Sequence, residues 1–298
     1  MDKVLITGVG GFIGKALAGT LSNHGYDVYG LSHSDIRLNN IKIFKADVLN
    51  ESKVFDICKD KDIIIHLAAI TEHKNIYNYP AKSFETSLIG TLNVLKAFEK
   101  SNAAHFIFPS SGKVYGKPKY LPCGENHTAK PQTPLGITKK ICEDAIHYFS
   151  TFSDKRFSIL RIFNVYGNGQ KKNFLIPTIL SQTNSDKIVL GNMQHKRDYI
   201  YVKDAVEAFL AIIKHREKGF NIYNVGSGAS YSAYDIVKAL ETIKNKSFKI
   251  KIDKSKLRKN EPFEEKASIA KLKSLGWKPK YNIREGLAEM LNDKHIEF

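Results

Sequence analysis

Short runs of β-branched and aromatic residues alternate with longer amphipathic stretches through the first half of the chain. The runs at 4–6, 28–31, 41–44, 63–67, 106–108 and 157–161 predict strands. Between them, apolar residues recur at helical spacing over 13–24, 51–59, 83–100 and 137–152, which predicts helices. Such alternation predicts an α/β fold, a doubly wound parallel sheet built by right-handed crossovers, with ligand beyond the carboxyl ends of its strands. Past residue 166 the alternation fades into a less regular part containing 176–183 and 187–190. There, Lys249-Ile250-Lys251-Ile252 reads as a strand with one wet lysine face, and Ser232 and Asp235 have capping-box spacing ahead of a helix.

Composition narrows the class without changing the fold. The 298 residues are 42% hydrophobic and 26% charged, and no apolar run approaches the roughly 20 residues of a membrane span. Met1-Asp2-Lys3 leads straight into the first strand, so neither export nor a membrane location is expected. The three cysteines, Cys58, Cys123 and Cys142, are scattered and odd in number, as expected of free thiols in the cytoplasm. The ten histidines show no ligand spacing, so no metal is implied. A formal charge of +16 calls for an acidic partner. Its densest part, 244–259, carries a single aromatic, Phe248, and no run of stacking aromatics, so a solvated face is expected there rather than a nucleic-acid site.

The candidate chemistry begins at Thr7-Gly8-Val9-Gly10-Gly11-Phe12-Ile13-Gly14, placed between a strand and a helix. Gly8 permits a tight turn, Gly11 lets backbone approach a pyrophosphate, and Gly14 lets helix pack on strand, so the motif reads as a dinucleotide cradle. The expected organisation is therefore a dinucleotide-binding (Rossmann) domain over 1–165, with a returning segment near 198–226. A smaller, interleaved C-terminal substrate lobe is expected over 166–298.

Further motifs follow the later strands. They are Asp47-Val48, His66-Leu67-Ala68-Ala69, Ser110-Ser111-Gly112-Lys113-Val114-Tyr115-Gly116 and Arg161-Ile162-Phe163-Asn164-Val165-Tyr166-Gly167. Later come Arg197-Asp198-Tyr199-Ile200-Tyr201-Val202 and Tyr223-Asn224-Val225-Gly226-Ser227-Gly228. In this order and spacing the chain resembles the extended short-chain dehydrogenase/reductases of the NAD-dependent epimerase/dehydratase family, which act mainly on nucleotide sugars. The resemblance implies that Gly8, Gly11, Phe12, Ile13 and Gly14 hold the pyrophosphate and that Asp47 and Val48 contact adenine. It implies that Leu67, Ala68 and Ala69 let the strand end approach the cofactor, and that Lys139 binds the nicotinamide ribose. Asn164, Arg197 and Arg258 match residues that grip the substrate diphosphate. The second strand ends in Ser32 and His33, where NAD-using relatives carry an acid, so both NAD and NADP stay open as cofactor. A homodimer paired through 83–100 and 137–152 is implied as well.

One departure bears on catalysis. The family uses Tyr-x-x-x-Lys, whose phenolate takes the sugar hydroxyl proton, and here Leu135 stands at the tyrosine's place with Lys139 following. Ser111 matches the hydroxyl that bonds the reacting oxygen. Lys113 occupies the position of a dehydratase glutamate, is expected to face the sugar, and is the candidate substitute base or a further substrate contact; Tyr115, His73 and Cys123 are weaker candidates. The expected activity is NAD(P)-dependent epimerisation or redox at a sugar ring carbon, C4, with a non-tyrosine acid/base. The alternative is a catalytically silent nucleotide or nucleotide-sugar binding protein.

Overall fold

The protein is described here by a computed structural model covering residues 1–71, 73–256 and 262–292. Its strands are β1 (Lys3–Thr7), β2 (Asp27–Ser32), β3 (Lys42–Lys45), β4 (Ile63–His66), β5 (His105–Ser111) and β6 (Arg156–Ile162). They continue with β7 (Asn164–Tyr166), β8 (Lys187–Leu190), β9 (Lys196–Tyr201), β10 (Gly219–Val225), β11 (Ser230–Ser232) and β12 (Lys249–Ile252). The helices that matter below are α1 (Phe12–Asn23), α2 (Glu51–Cys58), α3 (His73–Asn78), α4 (Pro80–Phe84), α5 (Gly90–Glu99) and α6 (Pro134–Ser150).

The chain divides into two compact units. The first comprises Met1–Gly116, Thr128–Ile162 and Val206–Tyr223. Its sheet has the order β10-β6-β5-β4-β1-β2-β3, with β1 to β6 in parallel register, for instance Thr7 beside Leu31 and beside His66. Strand order reverses between β1 and β4, the switch point at which doubly wound sheets take ligands. β4 is buried along its length and β5 along all but its last residue, so they read as continuous apolar runs and not as alternation. Leu5, Ile64, Phe106 and Phe157 join Phe98 of α5 and Ile146 of α6 in one core, where Phe98 meets Phe157 edge-on at 5.3 Å.

The helix expected over 83–100 is present, as two α-helical pieces with a π-helical turn between them. A π-helical turn, Glu85–Ile89, joins α4 to α5. The hydroxyl of Thr91 donates to the Ser87 carbonyl at 2.5 Å, and the Cys142 thiol approaches the same oxygen at 3.5 Å, so side chains compete for a carbonyl of the regular ladder. Gly90 follows because a Cβ there would lie 2.7 Å from Val48 Cγ2. The helix α3 and the edge strand β10 were not read as elements in the sequence, being short or flanked by charge.

The second unit comprises Lys117–His127, Phe163–Ala205 and Asn224–Phe298. It holds a three-stranded sheet, β11-β9-β7, and a two-stranded one, β12-β8. Lys117–His127 belongs here because Cys123 N–H donates to Lys266 O at 2.8 Å and Cys123 O accepts from Ser268 N–H at 2.7 Å. Asp198, fully buried, ties the unit together by accepting from Ser227 N–H and Oγ, Gly228 N–H and Ala267 N–H. The capping box is formed as read, Ser232 and Asp235 exchanging hydrogen bonds at the head of the helix Ala233–Lys244. Lys249 and Lys251 of β12 are exposed, but Ile252 is too, so the lysine face is not matched by a fully buried one.

Candidate active site

In the first unit the residues singled out from the sequence converge on the carboxyl ends of β1 to β5. Gly8 leaves β1 with a φ of 69°, and a Cβ there would lie 2.7 Å from the Ala68 nitrogen. Any larger residue would be strained and would push away the strand end after β4. Gly14 is equally tight, its Cβ position falling 2.6 Å from Gly8 O. α1 starts at Gly11 without a capping side chain and without an acid in its first turn. The N–H groups and positive end of that helix therefore lack an internal anion, which fits a pyrophosphate. This cradle fits a dinucleotide, with Phe12, Ile13 and Gly14 presenting the amides.

Asp47 is exposed, its Oδ1 accepting from Leu49 N–H at 2.9 Å, while Val48 is buried and its carbonyl takes a hydrogen bond from Asn93 at 3.0 Å. Ser32 is buried and closed on its own turn, donating to Ser34 O at 2.9 Å and accepting from Ser34 N–H at 3.2 Å; His33 is exposed. Leu67, Ala68 and Ala69 are half-buried beside Gly8.

Ser111 ends β5 and caps the 3-10 turn Gly112–Tyr115, its Oγ accepting from Lys113 N–H at 3.2 Å. α6 starts against this turn, since a Cβ on Gly136 would lie 2.4 Å from Lys113 O. Leu135 and Lys113 are both half-buried, while Lys139 is buried and donates to Pro109 O at 2.6 Å with its ammonium 4.4 Å from the Phe108 ring. Burial pulls Lys139 down to about 8, opposed by the neighbouring Cys142 and Glu143. One turn beyond, Glu143 accepts from Arg161 Nε at 3.1 Å and Nη2 at 2.8 Å, and from Ser110 Oγ at 2.5 Å. Tyr115, an expected weak candidate, is buried with its ring 4.9 Å from the Arg161 guanidinium.

In the second unit Asn164 of β7 donates to Asp198 O at 3.1 Å, and Arg197 lies on neighbouring β9. Arg197 is buried and held by its own chain: Nη1 donates to Lys196 O at 2.8 Å and Pro262 O at 3.0 Å, and Nε lies 3.4 Å from Glu265. Arg258 lies outside the described residues, as does a full description of His73; Cys123 is buried. Among the described residues no cluster could hold a metal ion, and no helix is long and apolar enough to cross a membrane.

Residues 4–226 match the NAD dependent epimerase/dehydratase family. The chain belongs to that family. A putative UDP-glucose 4-epimerase of Methanocaldococcus jannaschii is 31% identical over 97% of each chain, and a GDP-6-deoxy-D-mannose reductase of Pseudomonas aeruginosa is 28% identical over 98% of this chain and 97% of that one. Among solved structures, the UDP-glucuronic acid 4-epimerase of Bacillus cereus, in complex with UDP-glucuronic acid and NAD, superimposes with a TM-score of 0.87 at 26% identity over 97% of each chain.

For an NAD-dependent epimerase/dehydratase, the sequence reading left several positioning groups without a role. His66 is the clearest. Its Nδ1 is 2.7 Å from Thr7 Oγ1 and its Nε2 3.1 Å from Thr91 Oγ1, while Thr7 Oγ1 accepts from Ala68 N–H at 3.2 Å. Because Thr91 spends its proton on Ser87 O, it accepts from Nε2–H, and Nδ1 in turn accepts from Thr7. Burial, aided by the Lys139 charge, pulls His66 down to about 3, so the imidazole stays neutral and the chain of bonds keeps one direction. It fixes the strand end beside Gly8. The signal was present in His66-Leu67-Ala68-Ala69, but its partners are far away in sequence.

The buried ammonium also has a pH signature. Lys139 has its ordinary 10.5 in the unfolded chain and about 8 when folded, so between those values the unfolded chain binds more protons and stability rises with pH. Urea unfolding of wild type and Lys139→Met should show wild type gaining on the variant as pH rises through this window. A constant gap would contradict a charged, desolvated Lys139.

Proposed function

We propose that the protein is an NAD-dependent nucleotide-sugar epimerase or oxidoreductase acting at C4 of the sugar. The observation that carries this reading is the Gly8 cradle on an uncapped α1, with Ser111 and Lys139 at the same end of one sheet, in a chain of this family. The relatives that are 4-epimerases of UDP sugars support C4 and a UDP-linked substrate. NAD, when bound, supplies the acceptor and donor of hydride. Gly8, Gly11, Phe12, Ile13 and Gly14 hold its pyrophosphate, Asp47 and Val48 its adenine, Ser32 and His33 the adenosine ribose, and Lys139 the nicotinamide ribose. Leu67, Ala68 and Ala69 line its path.

Ser111 hydrogen-bonds the reacting sugar oxygen. Leu135 has no exchangeable proton, and Lys113, half-buried on the turn that Ser111 caps, is the group assigned to exchange the proton of the sugar hydroxyl. Asn164, Arg197 and Arg258 grip the diphosphate, where guanidinium forks match phosphate oxygens. The test is proton NMR of UDP-glucose incubated with protein and NAD. Appearance of the C4 epimer supports the reading. Binding without conversion, across UDP, GDP and dTDP sugars, would establish the second reading that Leu135 favours, a silent nucleotide-sugar binding protein.

The reading includes a homodimer. Ile137, Ile141 and Tyr148 of α6, with Phe152 just beyond it, are exposed at helical spacing, Tyr148 by 65% and Phe152 by 72%. Ile89 is exposed on the adjoining helical path. A self-complementary stripe of this kind suits pairing with a second copy about a two-fold axis. Light scattering should give twice 33.6 kDa; a monomer at micromolar concentration would refute it. The free, buried cysteines support a reducing compartment, the cytoplasm.

A further inference from the structure

Arg197 carries the diphosphate in the reading above, yet its guanidinium is already engaged. Backbone bonds from Lys196 N–H to Phe263 O at 2.8 Å and from Glu265 N–H to Lys196 O at 3.0 Å stitch segment 262–265 to the start of β9. This places the Glu265 carboxylate 3.4 Å from Arg197 Nε, with both side chains less than a tenth exposed. The Pro262 carbonyl takes a second face of the fork at 3.0 Å. A carboxylate and carbonyls are the oxygen acceptors that a phosphate would replace. The Glu265 charge also acts on buried Cys123, whose thiol is pushed up to about 11, by burial first and by Glu265 second.

We infer that Glu265 is an internal counter-ion that competes with the substrate diphosphate for Arg197 and so sets the protein's affinity for nucleoside diphosphates. The inference rests on the proposed role of Arg197. When phosphate oxygens take the guanidinium, the Glu265–Arg197 contact is given up and Glu265 remains beside a ligand of the same sign. Both effects oppose binding, because a buried ion pair is given up and like charges repel in a site of low polarity. A glutamine at 265 keeps the shape and can still accept from Nε–H, but removes the charge. The pair therefore discriminates by ligand charge, penalising a diphosphate and leaving an uncharged nucleoside unaffected.

Calorimetry with UDP and with uridine on the full chain tests this. E265Q should bind UDP about 10-fold more tightly than wild type, a change of about 1.4 kcal/mol, with uridine affinity unchanged. E265A, which removes the charge in a different shape, should move UDP in the same direction. An equal gain for uridine would mean a loosened fold, and no gain for UDP would mean no competition; either overturns the inference. R197Q added to E265Q should cost UDP at least about 10-fold relative to E265Q, without leaving a lone buried charge. If the double variant keeps the UDP affinity of E265Q, the assignment of Arg197 to the diphosphate fails. If it loses UDP while E265Q matches wild type, that assignment stands and the role of Glu265 falls.

Discussion

Replacing Leu135 by tyrosine is expected to raise epimerase turnover by about 10² to 10⁴-fold, the usual contribution of a positioned acid/base. Leu135 is the second residue of α6, and Lys139 follows at the fourth position on, so the two share a helix face. The close fit of Gly136 on the Lys113 carbonyl fixes the start of α6 against the turn that Ser111 caps. A phenol at 135 would thus stand in the field of a buried ammonium, and that field lowers the phenol's pKa by favouring phenolate. Lys113→Met divides the possibilities further. In the parent it should abolish conversion of UDP-glucose, and in the Leu135→Tyr background it should leave most activity, because the phenol then carries the proton. Full activity of Lys113→Met in the parent would remove Lys113 from the mechanism. No gain from Leu135→Tyr, with folding and NAD binding intact, would show that the pocket no longer fits the family's chemistry.

The sequence was most legible where local pattern and global fold agree. The six parallel strands and α1 were readable because each apolar run is bounded by turn residues, and Gly8 and Gly14 are at positions where backbone approach admits no Cβ. The helical path over 83–100 was legible as helix, but not its π-turn, which depends on Thr91 and on Cys142 of a distant helix and which no local period reports. Ser111, Lys113 and Lys139, the residues proposed for catalysis, lie at one end of the sheet, but what holds them in place was not legible. His66 finds Thr7 and Thr91 across 59 and 25 residues of chain, and Glu265 reaches Arg197 through a bridge between segments that share no motif. Glu143 was nearer to view, four positions after Lys139 on one helix, but its partner Arg161 was quoted only as part of a motif.

That partnership predicts the largest loss of stability. Arg161→Met is expected to destabilise the protein by about 3 to 5 kcal/mol, because it removes the bidentate partner of Glu143 and leaves a buried carboxylate with the Ser110 hydroxyl and the more distant Lys139 charge. Arg161 itself is held well above its ordinary range: burial opposes its charge, but the hydrogen bonds and charge of Glu143 outweigh that, with Tyr115 adding to them. Removing both members should cost far less than removing one, since an apolar pair of similar volume carries no desolvation penalty. Urea unfolding of Arg161→Met, Glu143→Leu and the double variant gives the coupling directly. If the single losses simply add in the double variant, the pair is not the unit described. Coupling should reach the active site as well. Glu143 favours the charged form of Lys139, so in Glu143→Leu, where Arg161 no longer neutralises a carboxylate, Lys139 should lose its proton at a lower pH than in wild type. An alkaline limb of the pH–rate profile that moves downward in Glu143→Leu, and returns in Glu143→Gln only in part, would separate this electrostatic role from loss of packing alone.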